Sequence, residues 1–193
     1  MNIVLASNSP RRREILSQLN IKFEVVPSNF EETLVNMEPI ELVEHFAYMK
    51  ALDVFENHHS DLPEDTYILG SDTIVYCNSI MGKPKSDEDA YKMLKALSNK
   101  EHQVISGLSI IQVSTGKAIT MHERTSVWIR ELEDREILNY ISNGEHVDKA
   151  GAYAIQGIGS LFVEKIQGCY FNVVGLPVNK LFKIMKKFGI NLI

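Results

Sequence analysis

Short apolar runs alternate along the chain with stretches whose apolar residues recur every three or four positions. Residues 3–6 form an apolar run of the length typical of a buried strand. Ile15, Leu16 and Leu19 then recur at helical spacing, after Ser9 and Pro10. Serine is favoured at the N-cap of a helix, and proline is tolerated at its first position. The chain is therefore predicted to open with a strand, a short loop and a helix.

The same alternation continues to the end of the chain. Residues 38–57 place Leu42, Val43, Phe46 and Met49 on one face and predict a long helix. Residues 66–77 predict an apolar strand that the Gly-Ser-Asp sequence at 70–72 interrupts. Later patterns predict three more helices: one capped by Ser86, one over 133–144 that Gly144 ends, and one within 175–190. With strands between the helices, we expect an α/β fold with a mixed sheet, as a single domain over residues 1–193.

Composition narrows the class of protein. The 193 residues are 45% hydrophobic and 23% charged, which is enough to build a real core. No apolar run reaches the roughly 18 residues of a membrane helix, and no basic segment followed by an apolar core marks a signal peptide. Cys77 and Cys169 lie outside any Cys-x-x-Cys pair, so neither a zinc site nor a disulfide framework is predicted. We therefore expect a cytoplasmic protein without a membrane partner.

The net charge of −5 argues against a protein whose main task is to bind nucleic acid. No basic stripe with interleaved aromatic residues is present either. A local basic pocket in an acidic protein better suits a small anionic ligand. A divalent metal can offset part of the negative charge of such a ligand when it binds.

Three consecutive arginines, residues 11–13, lie in the first turn of the first predicted helix. The helix dipole makes this end unfavourable for cations. A ligand with several negative charges would reverse that balance, because a helix N-terminus presents N–H groups and guanidinium forks bind phosphate oxygens. The alternative is a solvated helix face. The spacing is not that of a P-loop, so the pattern predicts a different kind of phosphate site.

Asp72 is a single acid within an otherwise apolar strand. Buried acids are rare unless they are paired, bound to a metal or functional. Asp72 therefore either caps a break in the strand or binds a hard cation or accepts a proton from water.

A second strand is predicted within residues 22–30, with a break at Pro27. Glu31 and Glu32 follow it as either a solvated surface pair or metal ligands. Lys50 lies on the long helix, where a lysine is usually solvated.

Two later segments have unusual compositions. The Gly-Lys-Pro-Lys sequence at 82–85 predicts a rigid loop in which Lys83 either meets phosphate as a point charge or is a plain turn lysine. Residues 148–157, DKAGAYAIQG, are small, as a close approach of the backbone to a ligand would require. Gln156 can form two hydrogen bonds with a nucleobase edge. The six histidines show no metal spacing, and no Ser/His/Asp or Cys/His arrangement indicates covalent catalysis.

Taken together, SNSPRR, GSDT, GKPK and DKAGAYAIQG resemble the Maf family, the Maf-like nucleotide pyrophosphatases also called septum formation inhibitors. The resemblance covers residues 5–177, and the last motif is similar to that of the subgroup that acts on dTTP and UTP rather than 7-methyl-GTP. It implies hydrolysis between the α- and β-phosphates, to a monophosphate and pyrophosphate, with Mg²⁺ or Mn²⁺. It further implies an elongated, two-lobed mixed-sheet α/β fold with a central cleft, similar to inosine triphosphate pyrophosphatases, and a homodimer.

The resemblance also implies a role for each matching residue. Asp72 corresponds to the family's proton acceptor and would help Glu32 to hold the metal, and Gln156 would contact the pyrimidine edge. The other matches are catalytic cations, Lys50 and Lys83, and substrate-binding residues, Ser9, Arg11, Arg12 and Thr73. Arg13 lies outside the motif.

Two function classes remain open. A house-cleaning pyrophosphatase of nucleotide pools predicts that Asp72→Asn removes turnover and leaves the fold intact. A regulator of septation that binds nucleotide without needing turnover predicts that a catalytically inactive protein still blocks septation when overproduced. Modified pyrimidine nucleotides are further candidate substrates of the enzyme.

Overall fold

The computed structural model describes residues 1–33 and 36–193 as alternating strands and helices. Its α-helices within these residues are α1 (Pro10–Gln18), α2 (Pro39–His58), α3 (Asp87–Leu97), α4 (Asp134–Ser142), α5 (Tyr170–Val174) and α6 (Val178–Lys187). Its strands are β1 (Asn2–Leu5), β2 (Glu24–Val25), β3 (Thr66–Cys77), β4 (Ser79–Met81), β5 (Lys100–Gln112), β6 (Ala118–Ile129) and β7 (Val163–Gln167). Two 3₁₀ helices, Ala150–Ala152 and Gly157–Phe162, precede β7.

The strands form one mixed sheet, which confirms the predicted α/β class. Their order is β2-β1-β3-β5-β6-β7, and β4 pairs with β3. β1 is parallel to both of its neighbours, whereas β4 and β7 are antiparallel to their partners. Leu5 pairs with Leu69, and the amide of Ala6 donates to the Leu69 carbonyl at 2.8 Å. The loop after β1 therefore begins beside residues 70–72 of β3.

The chain divides into two compact units, of which the first comprises residues 1–72, 106–123 and 175–193. In this unit α2 packs closely on the sheet. A Cβ atom on Gly70 would lie 2.2 Å from the carbonyl oxygen of Ala47, and one on Gly107 would lie 2.0 Å from that of Val43. The core on this side comprises Val4, Ala6, Ala51, Val54, Ile68 and Ile111.

The prediction that residues 70–72 interrupt the third strand is wrong. β3 runs unbroken from Thr66 to Cys77. Gly70 is there because the backbone of α2 leaves no room for a side chain, which is a common reason for glycine within a strand. Asp72 consequently does not cap a strand break, and the alternative roles for this acid remain.

The second unit comprises residues 73–105 and 124–174. The Ser86 side chain accepts a hydrogen bond from the amide of Asp89 at 3.1 Å and so caps α3, as predicted. The helix α4 begins with a capping box formed by Glu133 and Glu136. The buried side chains of this core include Val75, Leu94, Leu97, Val127, Ile137, Tyr140 and Phe162.

The shortest elements differ most from the sequence prediction. Only Glu24 and Val25 of the second predicted strand pair with β1. β4 and α5 were not predicted, because elements of three and five residues are too short to show a hydrophobic period. Across the described residues, no helix combines the length and the apolar character needed to span a bilayer.

Candidate active site

The loop between β1 and α1 shapes the start of the candidate site. Pro10 is the first residue of α1 and Ser9 occupies its N-cap position, but the Ser9 side chain makes no capping hydrogen bond. The hydroxyl of Ser7 instead accepts a hydrogen bond from the Ser9 amide at 3.2 Å. The prediction of the helix start is therefore confirmed, whereas the expected side-chain cap at Ser9 is not formed.

Arg12 is a buried arginine, with 9% of its surface exposed. Its Nε donates to the carbonyl oxygen of Gly175 at 2.9 Å, and its Nη1 donates to the Ser7 hydroxyl at 3.0 Å. Ser7 and Gly175 were missed as site residues. Ser7 lies in the SNSPRR motif and could have been noticed there, whereas no sequence signal connects Gly175 with Arg12.

The electrostatic setting of Arg12 favours an anion. Burial has the largest effect on the pKa of the Arg12 guanidinium and lowers it, and the nearby charge of Arg11 lowers it as well. The carboxylates of Asp72 and Glu32 raise this pKa. The net direction is downward, so the cationic form lacks part of the solvation it has in water. An additional anionic ligand would stabilise that form. By contrast, Arg13 donates to the backbone and side-chain oxygens of Asn8 at 3.1 and 3.3 Å.

Lys50 joins two carboxylates from different parts of the first unit. Its Nζ lies 2.5 Å from Glu32 Oε1 and 2.7 Å from Asp72 Oδ1. The Lys50 and Asp72 side chains are 13% and 8% exposed, whereas that of Glu32 is 44% exposed. A lysine on a helix is ordinarily solvated, and only the family resemblance predicted a site role for Lys50; here it is the centre of a largely buried charge cluster.

The carboxylates of Glu32 and Asp72 have the chemistry to bind a divalent cation. Both lie within hydrogen-bond distance of the Lys50 ammonium, so they are close enough to each other to share one ion. Carboxylate oxygens suit Mg²⁺ and Mn²⁺, and Mg²⁺ is often held by one or two carboxylates together with substrate phosphates. Among the described residues, no group of three or more His, Cys, Asp or Glu side chains forms a self-sufficient metal site. The protein alone would thus supply only part of the coordination shell.

Thr73, Lys83 and Gln156 belong to the second unit. Thr73 directly follows Asp72 along β3 and is half-buried. Lys83 is exposed in the loop before α3, and Gln156 is half-buried at the N-cap of the second 3₁₀ helix. The amide of Gly151 donates to the Gly82 carbonyl at 3.0 Å and so ties the segment that carries Gln156 to the loop that carries Lys83.

Packing inside the second unit explains the small residues around Gln156. Gly151 has φ = +68°, and a Cβ atom there would lie 2.9 Å from the Val75 side chain. A Cβ atom on Gly157, at φ = +66°, would lie 2.8 Å from Glu145. These two glycines are therefore required by the fold itself, and the expected approach to a ligand is not needed to account for them.

Comparison with known proteins decides the family. The family model described as Maf-like protein matches residues 2–188. The chain belongs to the Maf-like protein family. Curated relatives match it over nearly their whole length, and three of them are named dTTP/UTP pyrophosphatase.

The sequence identity between the chain and these Maf-like relatives is about 50%. The protein of a Thermoanaerobacter species is 50% identical over 188 residues, 97% of this chain and 96% of the relative. That of Caldanaerobacter subterraneus subsp. tengcongensis is 50% identical over 192 residues, 98% and 91% of the two chains. That of Ruminiclostridium cellulolyticum is 46% identical over 191 residues, 97% and 96% of the two chains. The similarity thus extends over both structural units.

Proposed function

We propose that this protein hydrolyses dTTP and UTP to the nucleoside monophosphate and pyrophosphate, with Mg²⁺ or Mn²⁺, as a house-cleaning enzyme of nucleotide pools. The observation that carries the proposal is the buried Asp72 carboxylate, which Lys50 holds at 2.7 Å within the electrostatic reach of Arg12. A chain of the Maf-like family with this charge cluster has the groups that phosphoryl transfer requires. The choice of thymine and uracil as bases is supported by the relatives that are named dTTP/UTP pyrophosphatase.

Arg11, Arg12 and Lys50 bind the triphosphate in this proposal. Arg12 is locked by its bonds to Gly175 and Ser7, so its guanidinium needs little reorganisation when phosphate arrives. Among these five side chains the three cations outnumber the two carboxylates, those of Glu32 and Asp72, and this local positive surplus favours a polyanion. The same cations stabilise the charge that develops on the leaving pyrophosphate.

Asp72 accepts the proton of the attacking water. Its Oδ1 accepts a hydrogen bond from Lys50, which fixes the orientation of the carboxylate. The water oxygen attacks the α-phosphorus, its proton passes to Asp72, and the bond from the α-phosphorus to the bridging oxygen of the β-phosphate breaks. A divalent metal bound by Glu32 and Asp72 would lower the pKa of a bound water and neutralise phosphate charge.

The proposal gives three residues of the second unit the roles that the family resemblance implies for them. Lys83 adds a point charge for phosphate, and Gln156 pairs with the pyrimidine edge through its amide. Thr73, which follows the proton acceptor Asp72 in the chain, contributes to the choice of substrate. Ser9 contributes to substrate binding from the loop that precedes α1. Its side chain makes no capping hydrogen bond to that helix.

Product analysis tests the proposal. Purified wild type, Asp72→Asn and the control Asp61→Asn are incubated with Mg²⁺ or Mn²⁺ and a panel of nucleoside triphosphates. Asp61 is an exposed acid of the same unit. We expect monophosphate and pyrophosphate from dTTP and UTP, a loss of about 10²–10⁴-fold in Asp72→Asn, and wild-type rates in the control.

Two other outcomes would overturn the proposal. Diphosphate and phosphate as products would mean that a different bond breaks. A folded wild type that turns over no nucleotide would favour the regulator of septation, and overproduction of Asp72→Asn in growing cells then tests whether septation still stops. We extend the proposal to a cytoplasmic homodimer, which light scattering and cell fractionation test.

A further inference from the structure

The segment that carries Glu32 is attached to α2 by a small set of contacts. Residues 26–33 form no helix or strand, and Glu32 itself is partly exposed. Yet its Oε1 lies within hydrogen-bond distance of Lys50. Holding one conformation of such a segment opposes about 1–2 kcal/mol of backbone entropy per residue, so specific contacts have to fix it.

Asp53 supplies the polar part of this attachment. Its Oδ2 accepts a hydrogen bond from the Ser28 hydroxyl at 2.9 Å and another from the Asn29 amide at 2.8 Å. The Ser28 hydroxyl oxygen in turn accepts from the amide of Phe30 at 3.0 Å. One carboxylate thus orders three successive residues, and hydrogen bonds to an ionised acceptor are about twice as strong as neutral ones.

Phe30 supplies the apolar part. Its ring lies 5.8 Å from that of Phe46 and 6.4 Å from that of His45, both on α2, measured between centroids. These contacts fix the residue two positions before Glu32. The segment is therefore held on one helix from Ser28 to Phe30 and again at Glu32.

The anchor and the partner of Glu32 lie on the same helix. Asp53 follows Lys50 by three positions, which places the two side chains on neighbouring parts of one helix face. The helix α2 therefore fixes the position of Asp53, which contacts the segment, relative to the Lys50 ammonium, which Glu32 contacts. Asp53 itself contacts the backbone and a hydroxyl of the segment, and Asn57 donates to its other oxygen at 3.2 Å.

We propose that Asp53 is a positioning residue that holds Glu32 in place for metal binding, acting through Ser28 and Asn29. This inference rests on the proposed function, because it gives Glu32 the metal-binding role. The loss of a residue that orients a metal ligand without touching the metal weakens metal affinity by about 10–100-fold. The loss of Asp53 should therefore weaken the metal rather than the chemistry.

The test measures Mn²⁺ binding directly. Free Mn²⁺ is followed by electron paramagnetic resonance in the presence of an α,β-methylene analogue of dTTP, for wild type, Asp53→Ala and the control Glu56→Ala. Glu56 is an exposed acid on the same helix. Alanine is a good helix former, so both variants should retain α2, which circular dichroism verifies. We expect a 10–100-fold larger Mn²⁺ dissociation constant in Asp53→Ala and none of this change in Glu56→Ala.

Ser28 variants and kinetics separate positioning from mere stability. Ser28→Ala should weaken Mn²⁺ binding less than Asp53→Ala does. Ser28→Thr keeps the hydroxyl and should bind Mn²⁺ like wild type. The double variant Asp53→Ala/Ser28→Ala should bind Mn²⁺ no more weakly than Asp53→Ala. The Mn²⁺ concentration for half-maximal activity should rise in Asp53→Ala, while kcat at saturating Mn²⁺ stays near that of wild type.

The outcomes distinguish this inference from the proposed function. Equal Mn²⁺ binding in wild type and Asp53→Ala would overturn the positioning role and leave the proposed function standing. A wild type that binds Mn²⁺ but hydrolyses no nucleotide would overturn the proposed function, while the dissociation constants still decide the role of Asp53. A wild type that binds no Mn²⁺ would overturn the inference, because Glu32 would then have no metal to hold.

Discussion

The replacement Lys50→Met gives the sharpest test of the charge cluster, because methionine keeps most of the side-chain length and removes the ammonium. Loss of one partner from a buried ion pair costs about 3–5 kcal/mol. Arg12 retains part of the attraction on Asp72, and the contact with Glu32 adds little because that side chain is 44% exposed. We therefore expect the free energy of unfolding to fall by about 2–3 kcal/mol, a sizeable part of the roughly 5–15 kcal/mol that stabilises a typical domain.

Urea unfolding followed by far-ultraviolet circular dichroism measures this loss. The matched control is Lys92→Met, which breaks the exposed pair of Lys92 with Glu88, whose side chains are 69% and 76% exposed. That variant should lose far less stability than Lys50→Met, because solvent screens an exposed pair. The double variant Lys50→Met/Asp72→Asn should be more stable than the sum of its single variants predicts, by about 1 kcal/mol or more. A loss in Lys50→Met no larger than in the control, with additive effects, would refute the buried pair.

The remaining predictions concern packing and pH. Gly70→Ala should lower the free energy of unfolding by about 3 kcal/mol or more, because its Cβ would lie 2.2 Å from the Ala47 carbonyl oxygen, whereas Gly82→Ala meets nothing within 4 Å and should change it by less than about 0.5 kcal/mol. Equal melting temperatures of the two variants would contradict this. Burial lowers the pKa of His102 to about 4, so the unfolded chain takes up a proton that the folded chain resists as the pH falls from about 6.5 to about 4. Unfolding free energies over this range should fall by about 3 kcal/mol more in wild type than in His102→Phe, and parallel pH profiles would contradict the prediction.

The sequence was sufficient for the features that depend on neighbouring residues. The helical spacing around Ile15, Phe46 and Ile137 and the apolar strands predicted the α/β class correctly, because hydrophobic periods are local. The cap at Ser86 was equally readable, since a cap and its helix are adjacent in the chain. The crowding of cations at residues 11–13 was visible for the same reason, and the anion site that it indicates stays a prediction. The motifs were sufficient to predict the family that the comparisons show.

Other features depended on residues far apart in the chain, and only the tertiary structure decided them. By its helical position alone Lys50 looked like a solvated lysine, and the family resemblance named it as a catalytic cation without naming its partners. The fold brings to it Asp72, which is 22 positions away, and Glu32 from a loop. Gly70 looked like a strand break and is instead the contact point for α2. Asp53 carried no signal at all until its carboxylate was seen to accept from the Ser28–Asn29 segment. The physical reason is common to all three: burial and pairing follow from which surfaces close on each other, and no local period records that choice.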